Sequence, residues 1–137
     1  MRATEVMKRD PYVTTEREPV ERVAQLMRDF NVGFVPVVDD HAARRVRGVI
    51  TERDLVVRHL AAGCPAGHTA AEVMTRYPWG TVGPDDEIED ALYRMQRAGV
   101  SQALVVDDEQ RLLGTVAFDD LLTRVSSPRK ADELTRC

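Results

Sequence analysis

Gly48-Val49-Ile50-Thr51-Glu52-Arg53-Asp54-Leu55 recurs 66 residues later as Gly114-Thr115-Val116-Ala117-Phe118-Asp119-Asp120-Leu121. Each copy reads as a short apolar strand that turns into a helix, with Thr51 or Ala117 at the junction and Asp54 or Asp120 three residues on. A single such stretch is weak evidence, because any strand-to-helix turn with a threonine cap has this form. Two copies at corresponding places restrict the chain to folds built from two like halves.

The flanking sequence repeats with offsets of 67 to 68 residues. Ala3-Thr4-Glu5-Val6-Met7 is echoed by Ala71-Glu72-Val73-Met74, and Pro11-Tyr12 by Pro78-Trp79. An amphipathic run follows in each half: Val20, Val23, Ala24, Met27 and Phe30 in the first, Ile88, Ala91, Leu92, Met95 and Ala98 in the second. Spacings of three and four place each set on one face of a helix. Pro19 suits a helix start, Asp86 and Glu89 put acids where the exposed N–H groups favour them, and Asn31 and Gly99 suit left-handed helix ends.

The runs Phe34-Val35-Pro36-Val37-Val38 and Ala103-Leu104-Val105-Val106 then predict strands buried on both faces, each ending in an acidic pair. Val46 to Ile50 and Leu112 to Val116 are the next strands, leading into helices over roughly residues 51–61 and 117–125. The order is strand, helix, strand, strand, helix, twice. Repeat 1 is expected over residues 1–62 and repeat 2 over 69–125. The breaker-rich segment 63–68 links them, Thr69-x-x-Glu72 restarts a helix with a capping box, and the polar tail 126–137 is expected to fray. About 60 residues bury too little apolar surface to stand comfortably alone, so the halves are expected to pack on each other about a pseudo-twofold axis.

Composition sets the outer limits on function. The 137 residues are 43% hydrophobic and 31% charged, with a net charge of −4, which argues against a broad basic nucleic-acid face. No apolar run is long enough for a membrane span and no export leader is evident, so the cytoplasm is the expected compartment. Cys64 and Cys137 form no Cys-x-x-Cys pair, and Cys64-x-x-x-His68 reads as a loop thiol and a loop imidazole. No metal site or required cofactor is expected.

Taken together, the Val-Met openings, the helix ending in Asn31-Val32 or Gly99-Val100, the strand with Pro36 and Asp39, and Gly-h-h-Thr/Ala-x-x-Asp-Leu (h, apolar) resemble a pair of cystathionine-beta-synthase (CBS) domains, a Bateman module, over roughly residues 3–125. The resemblance implies an α/β fold of two β-α-β-β-α repeats. It also implies two clefts that take adenosine-containing ligands such as AMP, ADP, ATP or S-adenosylmethionine, and disc-like homodimers. The leading expectation is a stand-alone regulatory module that senses such a ligand and signals through the homodimer to a protein partner.

Carried over position by position, the resemblance lines the first cleft with Gly33, Val49, Thr51 and Asp54 of the first half and Trp79, Gly80, Val100 and Gln102 of the second. It lines the second with Tyr12, Val13, Val32, Phe34, Arg53, Thr115 and Asp120. Asp54 offers two oxygens to the hydroxyls of a ribose, Thr51 adds a hydroxyl, and the free N–H groups of the helix start favour a phosphate. Arg53 would serve a phosphate in the second cleft. Two positions depart from the family pattern: Ala117 replaces the threonine, and Asp119 stands where Arg53 has its counterpart. A like charge at about 4 Å costs on the order of 4 kcal/mol before screening, so the first cleft is poorly made for a polyphosphate.

Structural readings stand beside these. Thr51 and Asp54 also form a complete helix cap. Tyr12 and Trp79 read as packing between the halves or as base-stacking surfaces, the methionines as core fillers, His41 and His59 as solvated, and Arg44, Arg45 and Arg47 as a solvated loop. A ligand-free interaction module is the second function class. An enzyme is disfavoured, since no nucleophile with a paired base, metal-ligand set or glycine-rich phosphate loop is visible.

Overall fold

The structure, a computed structural model, describes residues 1–63, 68–76 and 80–125. Cys64 and Cys137, most of the linker, the Pro78-Trp79 echo and the tail 126–137 lie outside the described residues.

In chain order the elements are α1 (Ala3–Val6), β1 (Lys8–Arg9), β2 (Thr14–Thr15), α2 (Val20–Phe30), β3 (Phe34–Val38), β4 (Val46–Thr51) and α3 (Glu52–Asp54), which runs on as a π-helix (Leu55–Leu60). The second half continues with α4 (Ala70–Val73), β5 (Thr75–Arg76), β6 (Thr81–Val82), α5 (Ile88–Ala98), β7 (Gln102–Val106), β8 (Leu112–Ala117) and α6 (Phe118–Val125). The α/β class and the duplicated order match the expectation from sequence. Each repeat also opens with a single helical turn, closed by Met7 N–H to Ala3 and Met74 N–H to Ala70. The two-residue strands β2 and β6, too short to leave a periodic signal, fall in stretches that read only as polar turns.

The chain forms two compact units that are not contiguous in sequence. One takes in Met1–Arg9, Gly80–Asp107 and the described residues from Leu113 on; the other takes in the described residues of Asp10–Trp79 together with Asp108–Leu112. Their sheets have the orders β1-β8-β7-β6 and β2-β3-β4-β5. Thus the opening strand of the first repeat pairs with the last strand of the second, Lys8 opposite Thr115 and Arg9 opposite Gly114. The opening strand of the second pairs with the first repeat, Thr75 opposite Val49 and Arg76 opposite Gly48.

That exchange explains the glycine at the head of each motif. A Cβ at Gly114 would stand 2.6 Å from the Lys8 carbonyl, and one at Gly48 would collide with the Thr75 carbonyl. Only a residue without a side chain lets the incoming strand lie so close.

Each unit has its own core. Val20, Val23, Met27, Val35, Val37, Ile50, Ala70 and Val73 are buried in one, and Ala3, Ile88, Ala91, Met95, Ala103, Val105, Val116 and Leu121 in the other. Helices α2 and α5 both end on a left-handed residue, Asn31 at φ 53° and Gly99 at φ 70°. The next residue, Val32 or Val100, donates its N–H back to Met27 or Met95. Between β3 and β4 the turn is closed by Asp39, whose Oδ1 accepts the N–H groups of Asp40 at 2.7 Å and Arg45 at 2.8 Å. Burial alone would raise the Asp39 carboxyl, but these N–H donors and the Arg45 and Arg47 guanidiniums hold it below the usual carboxylate range.

Several expectations are corrected. The helix after β4 ends at Leu60 and is α only through Asp54; Ala61 N–H then bonds to the Val56 carbonyl, five residues back. Hydrophobic periodicity does not distinguish this wider winding from an α-helix over so few residues. Phe30 and Ala24 are exposed; Phe30, in the last turn of α2, stacks on Tyr12 with ring centroids 4.1 Å apart. His59 is partly buried and meets His68, so neither is a freely solvated loop imidazole. Arg44 is partly buried as well, donating to the Pro11 carbonyl at 3.1 Å.

Candidate functional site

Thr51 is extended (φ −107°, ψ 167°) and its hydroxyl accepts the N–H of Asp54 at 3.2 Å. In return Asp54 Oδ2 accepts the Thr51 N–H at 2.9 Å, which completes a reciprocal cap at the start of α3. The Thr75 hydroxyl donates to Asp54 Oδ1 at 3.3 Å, and the Arg58 guanidinium lies 3.8 Å from the same oxygen. Arg58 also donates to the Met74 carbonyl at 2.8 Å. Asp54 is 8% exposed, a carboxylate fixed in place rather than one free to swing.

Thr75 and Arg58 are the residues that reading the sequence missed here. Arg58 stands four residues after Asp54, a spacing that brings opposite charges together on a helix, so its contact was discoverable. Thr75 comes from β5 of the other repeat, and nothing local announces a contact made across that separation.

The remaining first-half residues assigned to this cleft have distinct environments. Gly33 is exposed, and its carbonyl accepts the Glu52 N–H at 3.1 Å, tying the start of β3 to the start of α3. Val49 is completely buried between Pro36 and Thr75 in the sheet, so its side chain belongs to the packing. Of the second-half residues, Gly80 has φ 45° and its carbonyl accepts the Leu104 N–H at 2.9 Å. A Cβ on Gly80 would lie 3.2 Å from the Val100 side chain and 3.5 Å from the Gln102 carbonyl, so these three positions are neighbours within their unit. Trp79 lies outside the described residues.

For the second cleft, Tyr12, Val13, Val32, Phe34 and Arg53 all belong to the unit of β2-β3-β4-β5. Tyr12 and Arg53 are exposed, and Val13, Val32 and Phe34 are partly buried. Thr115 is 8% exposed inside β8. Asp120 is exposed, unlike Asp54. The start of α6 repeats the backbone tie of α3, Phe118 N–H to the Ser101 carbonyl at 2.9 Å, but Ala117 has no hydroxyl to complete a cap. Arg53 and Asp119, the matched positions of opposite charge, are both exposed. Among the described residues no helix is long and apolar enough to cross a membrane.

Comparison with known proteins agrees with this two-fold plan. The CBS-domain description matches residues 3–59 and 70–127. The uncharacterized protein MK0525 of Methanopyrus kandleri is 31% identical over 118 residues, 86% of this chain and 59% of that protein; this chain thus spans less than two thirds of that relative. Hypoxic Response Protein I, solved with two coordinated zinc ions, superposes with a TM-score of 0.80 at 28% identity, covering 91% of this chain and 99% of that one. The CBS domain pair of protein MJ0100, solved with 5-methylthioadenosine and S-adenosyl-L-methionine, gives 0.76 at 25% identity over 91% of this chain and 94% of that one.

Proposed function

Because this chain belongs to the CBS-domain family, we propose that it is a regulatory CBS pair. It binds an adenosine-containing ligand of the AMP, ADP, ATP or S-adenosylmethionine type through residues of both repeats. It then passes the ligand's presence, through a homodimer, to a protein partner in the cytoplasm. In this reading the chain is a binder, not a catalyst.

The observation that carries the proposal is the state of Asp54. An ionised carboxylate offers about four acceptor positions. The Thr51 N–H and the Thr75 hydroxyl take two and fix the group's orientation. The others remain for vicinal hydroxyls of a ribose, met by a group already immobilised. The adenosyl ligands in MJ0100, similar to this chain over 91% of its length, support the same class. For the homodimer, support comes from Val56, Val57 and Leu60 on the π-helix, which are 53%, 49% and 72% exposed. Val56 and Leu60 border an apolar cavity of about 230 Å³ lined also by Val20, Ala24 and Leu55.

A second reading, a ligand-free interaction module, is favoured by one specific fact: the reciprocal cap gives Thr51 and Asp54 a complete structural use. Titration of the purified protein with AMP, ATP and S-adenosylmethionine by calorimetry separates the two. Saturable heat for one of them supports the sensor. Absence of heat and of any thermal shift for all three leaves the interaction module.

A further inference from the structure

His59, near the end of the π-helix, and His68, just before α4, point the same ring nitrogen at each other: the two Nδ1 atoms are 3.1 Å apart. The rings are inclined at 60° and their side chains are only 20% and 22% exposed. On the far side of each ring stands a carboxylate, Glu21 Oε1 at 3.9 Å from His59 Nε2 and Glu72 Oε2 at 3.9 Å from His68 Nε2. Glu72 is itself anchored, its Oε1 accepting from the Thr69 N–H at 3.3 Å and the Thr69 hydroxyl at 3.1 Å. The His68 carbonyl accepts the Val20 N–H at 3.0 Å, which fixes the backbone of His68 to the start of α2.

We propose that His59 and His68 form a two-imidazole chelate for a divalent transition-metal ion of the zinc class, bound through both Nδ1 atoms. Imidazole nitrogens bind zinc at about 2.0–2.1 Å, and two of them in a tetrahedral shell lie about 3.3 Å apart. The observed separation of 3.1 Å is close to that span, so an ion can be admitted by turning the rings without moving the backbone apart. An outer carboxylate facing the Nε2–H is the companion of ligating histidines, since it sets the tautomer that leaves Nδ1 free to bind. Each ring has a carboxylate on its Nε2 side at 3.9 Å, a short side-chain adjustment from accepting that N–H. Imidazole donors favour zinc and its first-row neighbours over magnesium or calcium. Among the described residues no group of three or more His, Cys, Asp or Glu could hold a metal ion, so the chelate supplies two ligands and leaves the other positions to water or to an incoming group.

The test uses the full chain stripped with EDTA and titrated calorimetrically with zinc sulfate alone. One ion per chain is expected, with at least a tenfold weaker association in His59→Gln and in His68→Gln and no change in the exposed-histidine control His41→Gln. Nitrogen-15 spectra of the wild-type imidazoles decide the matter without any variant: zinc should move both Nδ1 resonances and leave both Nε2 atoms protonated. Absence of zinc binding, unchanged affinity in both variants, or coordination through Nε2 would each overturn the proposal.

Discussion

The hydroxyl of Thr75 donates to the carboxylate of Asp54 at 3.3 Å, joining a residue from the opening of the second repeat to the helix start of the first. The acid proposed to grip a ligand is therefore held by both repeats within one unit. Asp54→Ala should remove adenosyl-ligand binding and lower stability by about 1–2 kcal/mol, the range for a lost cap. Calorimetry and urea denaturation measure the two effects separately. A variant that binds normally would place the ligand elsewhere.

Arg53 and Asp119 give the two helix starts opposite charge at matching positions. If the arginine serves a phosphate, Arg53→Ala should weaken ATP more than adenosine. Equal losses for both would take Arg53 out of the phosphate role.

Gly48 and Gly114 are required by the strands that cross them. Gly48→Ala and Gly114→Ala should each cost about 1–3 kcal/mol, the range for overpacking a tight site. Urea midpoints report this directly, and a change below about 0.5 kcal/mol, the scatter of surface substitutions, would mean that the crossing strand is not closely seated.

Asp39 has a lowered folded-state pKa, so its contribution has a definite sign. In the unfolded chain the carboxyl titrates near 3.9. The stabilisation is fully present above that value and is lost as pH falls through the lower folded-state pKa. Thermal melts between pH 7 and about 2 should show a flatter acid limb for Asp39→Asn than for the parent protein. Parallel curves would remove Asp39 from the acid response.

Leu60, 72% exposed, is the most exposed of the large apolar side chains among the described residues. Leu60→Asp should convert the proposed homodimer to monomer in sedimentation equilibrium while leaving the far-ultraviolet spectrum unchanged. A variant that sediments as the parent does would move the interface off this helix.

Much of this was legible beforehand because it is local. Asn31 and Gly99 announce helix ends through the one conformation they tolerate, and Thr51 with Asp54 spells a cap within four residues. What escaped was set at a distance or by winding. His59 and His68 are separated by a breaker-rich stretch, so no periodicity connects them. Phe30 fits the buried spacing of α2, yet in the last helical turn it projects past the core onto Tyr12. The pairing of β1 with β8 left no trace, because two-residue strands carry no pattern and their partner lies at the other end of the chain.

That pairing has a consequence for synthesis on the ribosome. Thr75 needs Val49, already made 26 residues earlier. Lys8 needs Thr115, and must wait for 107 further residues. The sheet containing β5 can therefore close first, while Lys8 and Arg9 stay without their strand partners until Gly114 and Thr115 have been made.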